Sequence, residues 1–123
     1  LPAETCLGQW PVQLRLVSPM AGFFDGADLL LAADCSAFAR GDFHARYMKG
    51  KVTVIGCPKL DPVDYSEKLT EIFRLHNIRS VTLVRMEVPC CGGLERAVQK
   101  ALAACGRPIP FESVTLSVRG EIL

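Results

Sequence analysis

Four of the six cysteines in this chain stand where a predicted buried β-strand ends. Cys35 and Cys57 each follow a short apolar run, and the adjacent Cys90 and Cys91 follow the run at 81–84 after a short polar exit. Parallel strands of an open α/β sheet bring their carboxyl ends to one edge, where ligands bind. We therefore expect the four thiols to meet in one cluster, which is typical of a metal or iron–sulfur site.

The strongest local pattern is the pair Cys90 and Cys91, which precedes Gly92 and Gly93 at the start of a predicted helix. Backbone N–H groups at a helix N-terminus stabilise a thiolate over a thiol, and metal ligation requires the thiolate. Two glycines let the backbone approach a bulky anionic centre closely. The pattern therefore indicates a functional site rather than a purely structural one.

The remaining candidate ligands differ in how well their positions suit such a site. Cys57 lies between a glycine and a proline at a strand end, and Cys35 lies at a strand-to-helix junction. His44 follows Cys35 by nine residues and is a candidate nitrogen ligand. Cys105 belongs to the apolar stripe of the last predicted helix, and Cys6 lies in the N-terminal tail. We expect neither of these two cysteines to contribute.

Short β-branched runs alternate along the chain with segments of helical periodicity. Strands are predicted at residues 13–17, 29–33, 52–55, 80–86 and 113–118. A helix is predicted at 62–76, with Asp61 as its N-cap and with His76 at its end, where the charge of a histidine suits the helix dipole. A second helix is predicted along the apolar stripe from Leu94 to Cys105, with Gly106 as its C-terminal stop, and the stretch 36–48 is predicted to be partly helical. This alternation predicts an α/β fold, a single Rossmann-like three-layer domain with a mostly parallel sheet of about five strands.

Length and composition limit the class of protein and its partners. The 123 residues predict a tail or linker from a preceding segment at 1–12 and one cysteine-rich α/β domain at 13–123. A formal net charge of +1 gives no reason to expect nucleic acid or an anionic membrane as partner. No apolar run approaches the roughly 18 residues of a membrane helix. Since half of the residues are hydrophobic, the core needs no disulfides, which favours free or metal-bound thiols in a reducing cytoplasm.

Four thiolates match two kinds of centre, a cubane 4Fe-4S cluster or a closed tetrahedral zinc site. Structural zinc usually binds paired C-x-x-C knuckles, and this chain has none. Ligands from three separate strand ends suit a site built on a finished scaffold. We therefore expect an iron–sulfur cluster held by Cys35, Cys57, Cys90 and Cys91.

Two alternatives stay open at this point. A zinc hydrolase or lyase would use cysteine ligands, His44 and a water. A metal-free thiol redox or docking domain would cycle Cys57, Cys90 and Cys91 between thiol and disulfide. The chain has no glycine-rich nucleotide loop, and neither catalytic residues nor a substrate can be assigned.

Five stretches of the sequence resemble a known family: QWPVQL at 9–14, ADLLLAADC at 27–35, GDFH at 41–44, GCPKLD at 56–61 and RMEVPCCGGL at 85–94. The chain resembles the C-terminal domain of ferredoxin-type iron–sulfur proteins of anaerobic bacteria, whose full-length forms carry two cubane-binding motifs upstream. It is also distantly similar to the small iron–sulfur subunit of hydrogenase–heterodisulfide reductase complexes.

The resemblance implies a redox module that exchanges electrons with an attached ferredoxin segment or another redox protein, with a homodimer left open. The chain departs from the full-length family because it has no C-x-x-C-x-x-C run. The usual ferredoxin clusters are therefore absent from these 123 residues.

Overall fold

The computed structural model describes residues 4–123, which form a parallel β-sheet with helices packed around it. Within these residues the sheet has four strands where about five were predicted, and every neighbouring pair is parallel. The strands are β1 (Asp28–Ala33), β2 (Val52–Gly56), β3 (Ser80–Met86) and β4 (Phe111–Leu116), in the spatial order β2-β1-β3-β4. The predicted α/β class with a parallel sheet is confirmed.

The connections between the strands include α1 (Ser36–Ala39), α2 (Tyr65–Leu75) and α3 (Gly92–Ala104). Helices α2 and α3 pack against each other. The apolar stripe of each is buried, and so are all residues of β1 after Asp28, because central parallel strands are covered on both faces. None of the helices between residues 4 and 123 has the length and apolar character needed to cross a membrane.

Helix α2 begins later than the sequence predicts. Asp64, rather than Asp61, is the N-cap, and its carboxylate accepts the backbone N–H of Ser66 at 3.0 Å. Asp61 instead accepts a hydrogen bond from the Tyr65 hydroxyl. The predicted end of helix α3 is correct, since Gly106 has a φ of +76°, a conformation that favours glycine after a helix.

The first predicted strand, 13–17, does not form. Gln13 makes a single bridge to Ile55 of β2, after which the chain turns so that the N–H groups of Leu16 and Val17 both donate to the Gln13 carbonyl. The apolar pattern of this segment reflects burial of Leu14 and Val17 in the core, not sheet pairing.

The last strand is displaced by two residues from its predicted range of 113–118 and spans Phe111–Leu116. A turn begins at Ser117, whose backbone N–H donates to the Glu121 carbonyl. Leu116 forms an antiparallel bridge to Ile122 after this turn. The partly helical stretch predicted at 36–48 comprises α1 and a π-helical segment, His44–Met48.

An N-terminal segment lies along the free edge of β2. The Ile55 N–H donates to the Val12 carbonyl at 2.9 Å, and the Leu14 N–H donates to the Ile55 carbonyl at 2.8 Å. The side-chain amide of Gln9 bonds both the carbonyl and the N–H of Thr53. These contacts satisfy the backbone groups that an edge strand leaves unpaired. The predicted tail, 1–12, includes residues 1–3, which lie outside the described residues.

Candidate functional site

A cavity of about 380 Å³ lies at the carboxyl ends of β1, β2 and β3, and all four predicted cysteines line it. Cys35 follows β1, Cys57 follows β2, and Cys90 and Cys91 form the turn that leads from β3 into α3. The parallel sheet thus brings together residues that are up to 56 positions apart in the sequence. The rest of the wall is mostly apolar, and its lining comprises Ala33, Asp34, Phe38, Ala39, Gly56, Met86, Val88 and Val118.

All four cysteines are free thiols, and they differ in exposure. Cys35 and Cys90 are exposed, Cys57 is partly buried, and Cys91 is 5% exposed. Two thiols are therefore open to solvent at the cavity, while Cys91 is held in its wall.

Burial raises the pKa of the Cys91 thiol, a backbone hydrogen bond from Met86 opposes the shift, and the neighbouring Cys90 and Cys57 raise it further. In the metal-free chain, burial at Cys91 acts against the thiolate that the start of a helix was expected to favour, because burial disfavours the charged form. A metal cation would reverse this preference, since a coordinating thiol loses its proton. Without a metal, Cys91 thus favours its protonated form, and it lies close to Cys90 and Cys57.

The loop after Cys57 packs directly on the start of α3. A β-carbon at Gly93 would lie 3.1 Å from both Cβ and Cγ of Pro58. Gly92 has more room, because a β-carbon there would meet only the end of the Arg96 side chain at 3.2 Å. Gly93 therefore allows the close approach of the two loops that carry Cys57 and the Cys90–Cys91 pair.

Tyr65, which the sequence did not single out, holds the backbone beside the cavity. Its hydroxyl accepts the N–H of Cys57 at 2.9 Å and donates to the carboxylate of Asp61. Burial and the Asp61 carboxylate raise the pKa of Tyr65, so the hydroxyl stays protonated and able to donate. Arg15 lies 3.6 Å from the other oxygen of Asp61. The spacing of Asp61 and Tyr65 by four residues was the available signal.

Asp34 contributes the one carboxyl group among the lining residues. Its Oδ1 atom is buried and has no hydrogen-bond partner among the described residues. Burial raises the pKa of Asp34, the nearby Asp61 carboxylate raises it further, and a hydrogen bond from the Gln13 side chain opposes the rise. The residue beside Cys35 therefore carries a carboxyl group whose ionised form is disfavoured.

His44 is not among the residues that line the cavity. Its Nδ1 atom accepts the backbone N–H of Cys6 at 3.0 Å, so the ring holds the N-terminal segment. Cys105 is buried directly after the C-terminal end of α3, where its thiol donates to the Leu102 carbonyl at 3.2 Å. The structure thus brings neither His44 nor Cys105 to the four thiols.

His76 has a more specific role than the helix dipole that the sequence suggested. The side chain is buried, with Nδ1 at 2.5 Å from Asp25 Oδ1 and Nε2 at 2.6 Å from the Pro19 carbonyl. These contacts tie the C-terminal end of α2 to the segment before β1.

Within residues 4–123, no three His, Cys, Asp or Glu side chains are arranged to hold a single metal ion. The four cysteines have in common that they line the same cavity. Their role as ligands stays a prediction.

Comparison with known proteins supports the fold assignment. A model for a Rossmann-like domain matches residues 21–123. A protein of Archaeoglobus fulgidus described as uncharacterized is 35% identical over 115 residues, which cover 93% of this chain and 81% of that protein. No solved structure matches the chain. The chain therefore belongs to the Rossmann-like domain family.

Proposed function

We propose that this domain binds an iron–sulfur cluster of the 4Fe-4S type through Cys35, Cys57, Cys90 and Cys91 and acts as a redox module. The observation that carries the proposal is that all four thiols line one cavity of about 380 Å³ at the edge of the sheet where ligands bind. Four cysteine thiolates are the usual ligand set of a cubane cluster.

The placement of the four cysteines around one cavity favours a cluster over a single zinc ion. Zinc–sulfur bonds of about 2.3 Å in a tetrahedron place the four sulfurs within about 4 Å of one another. A cubane lies between its ligand sulfurs and keeps them farther apart. Thiols that line an open space but form no single-ion site among residues 4–123 suit the larger centre.

The residues of the chain would have distinct tasks around such a cluster. Cys91 and Cys57 would hold it from the cavity wall, where apolar neighbours such as Met86 and Val88 limit the access of water. Cys35 and Cys90 are exposed and would lie nearest to a partner. When bound, the cluster would supply one-electron transfer, with a ferredoxin-type segment or another redox protein as the expected partner.

Metal-free thiol chemistry is a second candidate, because Cys91 lies close to both Cys90 and Cys57. The thiolate is the attacking species in thiol–disulfide exchange. The raised pKa of Cys91 keeps this thiol protonated and so makes it a weak nucleophile at neutral pH. The exposed Cys90 would have to start such a reaction.

Anaerobic reconstitution with ferrous iron and sulfide tests the first proposal. We expect a brown protein with about four iron and four sulfide per chain and an electron paramagnetic resonance signal after reduction. Cys57→Ser and Cys91→Ser should lose the colour, while the matched control Cys105→Ser, a buried cysteine away from the cavity, should retain it. A colourless reconstituted wild type would reject the cluster, and stoichiometric zinc in its place would favour the zinc alternative.

A further inference from the structure

We propose that Tyr65 is a positioning residue that fixes Cys57 at the cavity wall and that Asp61 orients it for this task. The inference rests on the proposed role of Cys57 as a ligand. It adds to the site two residues, from the loop after β2 and the first turn of α2, that do not themselves line the cavity.

Both backbone polar groups of Cys57 are hydrogen-bonded to residues 60–65. The Cys57 N–H donates to the Tyr65 hydroxyl at 2.9 Å. The Cys57 carbonyl accepts the N–H groups of Leu60 at 3.1 Å and Asp61 at 2.9 Å. Asp61 therefore acts on Cys57 in two ways. The backbone N–H of Asp61 bonds the Cys57 carbonyl directly, and the Asp61 carboxylate orients the Tyr65 hydroxyl that bonds the Cys57 N–H.

Close packing and a second hydrogen bond hold the Tyr65 hydroxyl beside Cys57. Tyr65 is 4% exposed, and its ring packs so closely on Gly56 that a β-carbon there would lie 2.9 Å from Cζ. The Tyr65 hydroxyl donates a hydrogen bond to the Asp61 carboxylate, which leaves its oxygen lone pairs to accept the Cys57 N–H. A hydrogen bond to a charged acceptor is stronger than a neutral one, so the orientation is well defined.

This arrangement differs from ordinary core packing in what it fixes. A buried tyrosine that served stability alone would satisfy its hydroxyl on any available group. Here the hydroxyl bonds the first residue after a strand end, which carries a proposed ligand, and the seven residues between Cys57 and Tyr65 contain neither helix nor strand. Position 57 would otherwise depend on the conformation of that loop.

The test measures the alkylation rate of Cys57 relative to Cys35 by mass spectrometry in the reduced, metal-free chain. Tyr65→Phe keeps the ring and removes only the hydroxyl. We expect the rate ratio to rise about fivefold, the factor that corresponds to one net hydrogen bond. Asp61→Asn should change the ratio in the same direction. Global unfolding would also raise this ratio, because Cys57 is partly buried and Cys35 is exposed. The rates are therefore compared under conditions in which urea unfolding shows each variant to be fully folded.

Tyr47→Phe is the matched control, since Tyr47 is also buried and its ring packs on Phe43 away from the cavity. It should leave the ratio unchanged even if it lowers the melting temperature. A ratio in Tyr65→Phe equal to that in Tyr47→Phe would overturn the inference. Failure of the wild type to take up a cluster would reject the proposed function but would leave this ratio, measured without metal, as an independent result.

Discussion

Gly93 at the start of α3 faces Pro58 so closely that a β-carbon at position 93 would lie 3.1 Å from both Cβ and Cγ of the proline. This contact joins the loop of Cys57 to the loop of Cys90 and Cys91. The two loops of the proposed site follow different strands, and they can pack this closely because residue 93 is a glycine and has no side chain.

Gly93→Ala should separate these loops. Replacing a helical glycine by alanine normally stabilises a protein by about 0.5–1 kcal/mol, but overlap with Pro58 should cancel this gain or turn it into a loss of about 1–2 kcal/mol. We expect iron uptake after reconstitution to fall by at least about half, because the proposed site needs both loops in place. Urea unfolding and iron analysis measure the two effects.

Gly92→Ala is the matched control for that variant. It changes the neighbouring residue of the same helix, where the new methyl group would meet only the movable end of Arg96. Iron uptake should be retained and stability unchanged or higher by up to about 1 kcal/mol. Equal losses of iron in both variants would show that the contact with Pro58 has no special role.

Gly56→Ala should be costly because of Tyr65. The new β-carbon would lie 2.9 Å from Cζ of a buried ring, and such overpacking costs about 1–3 kcal/mol. In a Tyr65→Ala background the ring is absent, and the cost of Gly56→Ala should fall below about 1 kcal/mol. A double-mutant cycle of urea unfolding measures the coupling. Additive effects would contradict the proposed close packing of these residues.

The raised pKa of Cys91 predicts how the stability of the metal-free chain depends on pH. The folded state favours the protonated thiol more than the unfolded state does, so the contribution of Cys91 is complete below the unfolded pKa of about 8.5. It is lost as the pH rises through the folded pKa. Unfolding free energies of wild type and Cys91→Ala, compared from neutral to alkaline pH, should therefore converge.

Cys35 is the internal reference for Cys91, because Cys35 is exposed and lies in the same cavity. Alkylation at neutral pH should also modify Cys35 before Cys91. A Cys91 that reacts first would show that its thiol is not buried in the way described.

The sequence predicted the arrangement of the cysteines better than the details around them. A buried parallel strand such as β1 is recognisable because it is apolar on both faces, and the carboxyl ends of such strands define one edge. The segment 13–17 was also predicted as a strand but turns after one bridge, since the core residues Leu14 and Val17 require burial and not pairing.

Long-range polar contacts were not predictable in the same way. His44 has the spacing of a ligand, yet its ring bonds the backbone of Cys6, 38 residues earlier. Asp61 was interpreted as a helix cap, although its carboxylate serves the Tyr65 hydroxyl. Each outcome depends on which groups the fold brings into contact, and periodicity in the sequence carries no information about that.

Asp34→Asn should stabilise the metal-free chain near neutral pH. Burial and the Asp61 carboxylate raise the pKa of Asp34, so the folded state disfavours its ionised form. The contribution of the protonated carboxyl is present below the unfolded pKa of about 3.9 and is lost as the pH rises through the folded pKa. The stabilisation by the neutral amide should be below about 1 kcal/mol, because the carboxyl is partly solvated, and should vanish at acid pH. Asp42→Asn, whose exposed carboxylate pairs with Arg40, should instead leave stability unchanged or lower it.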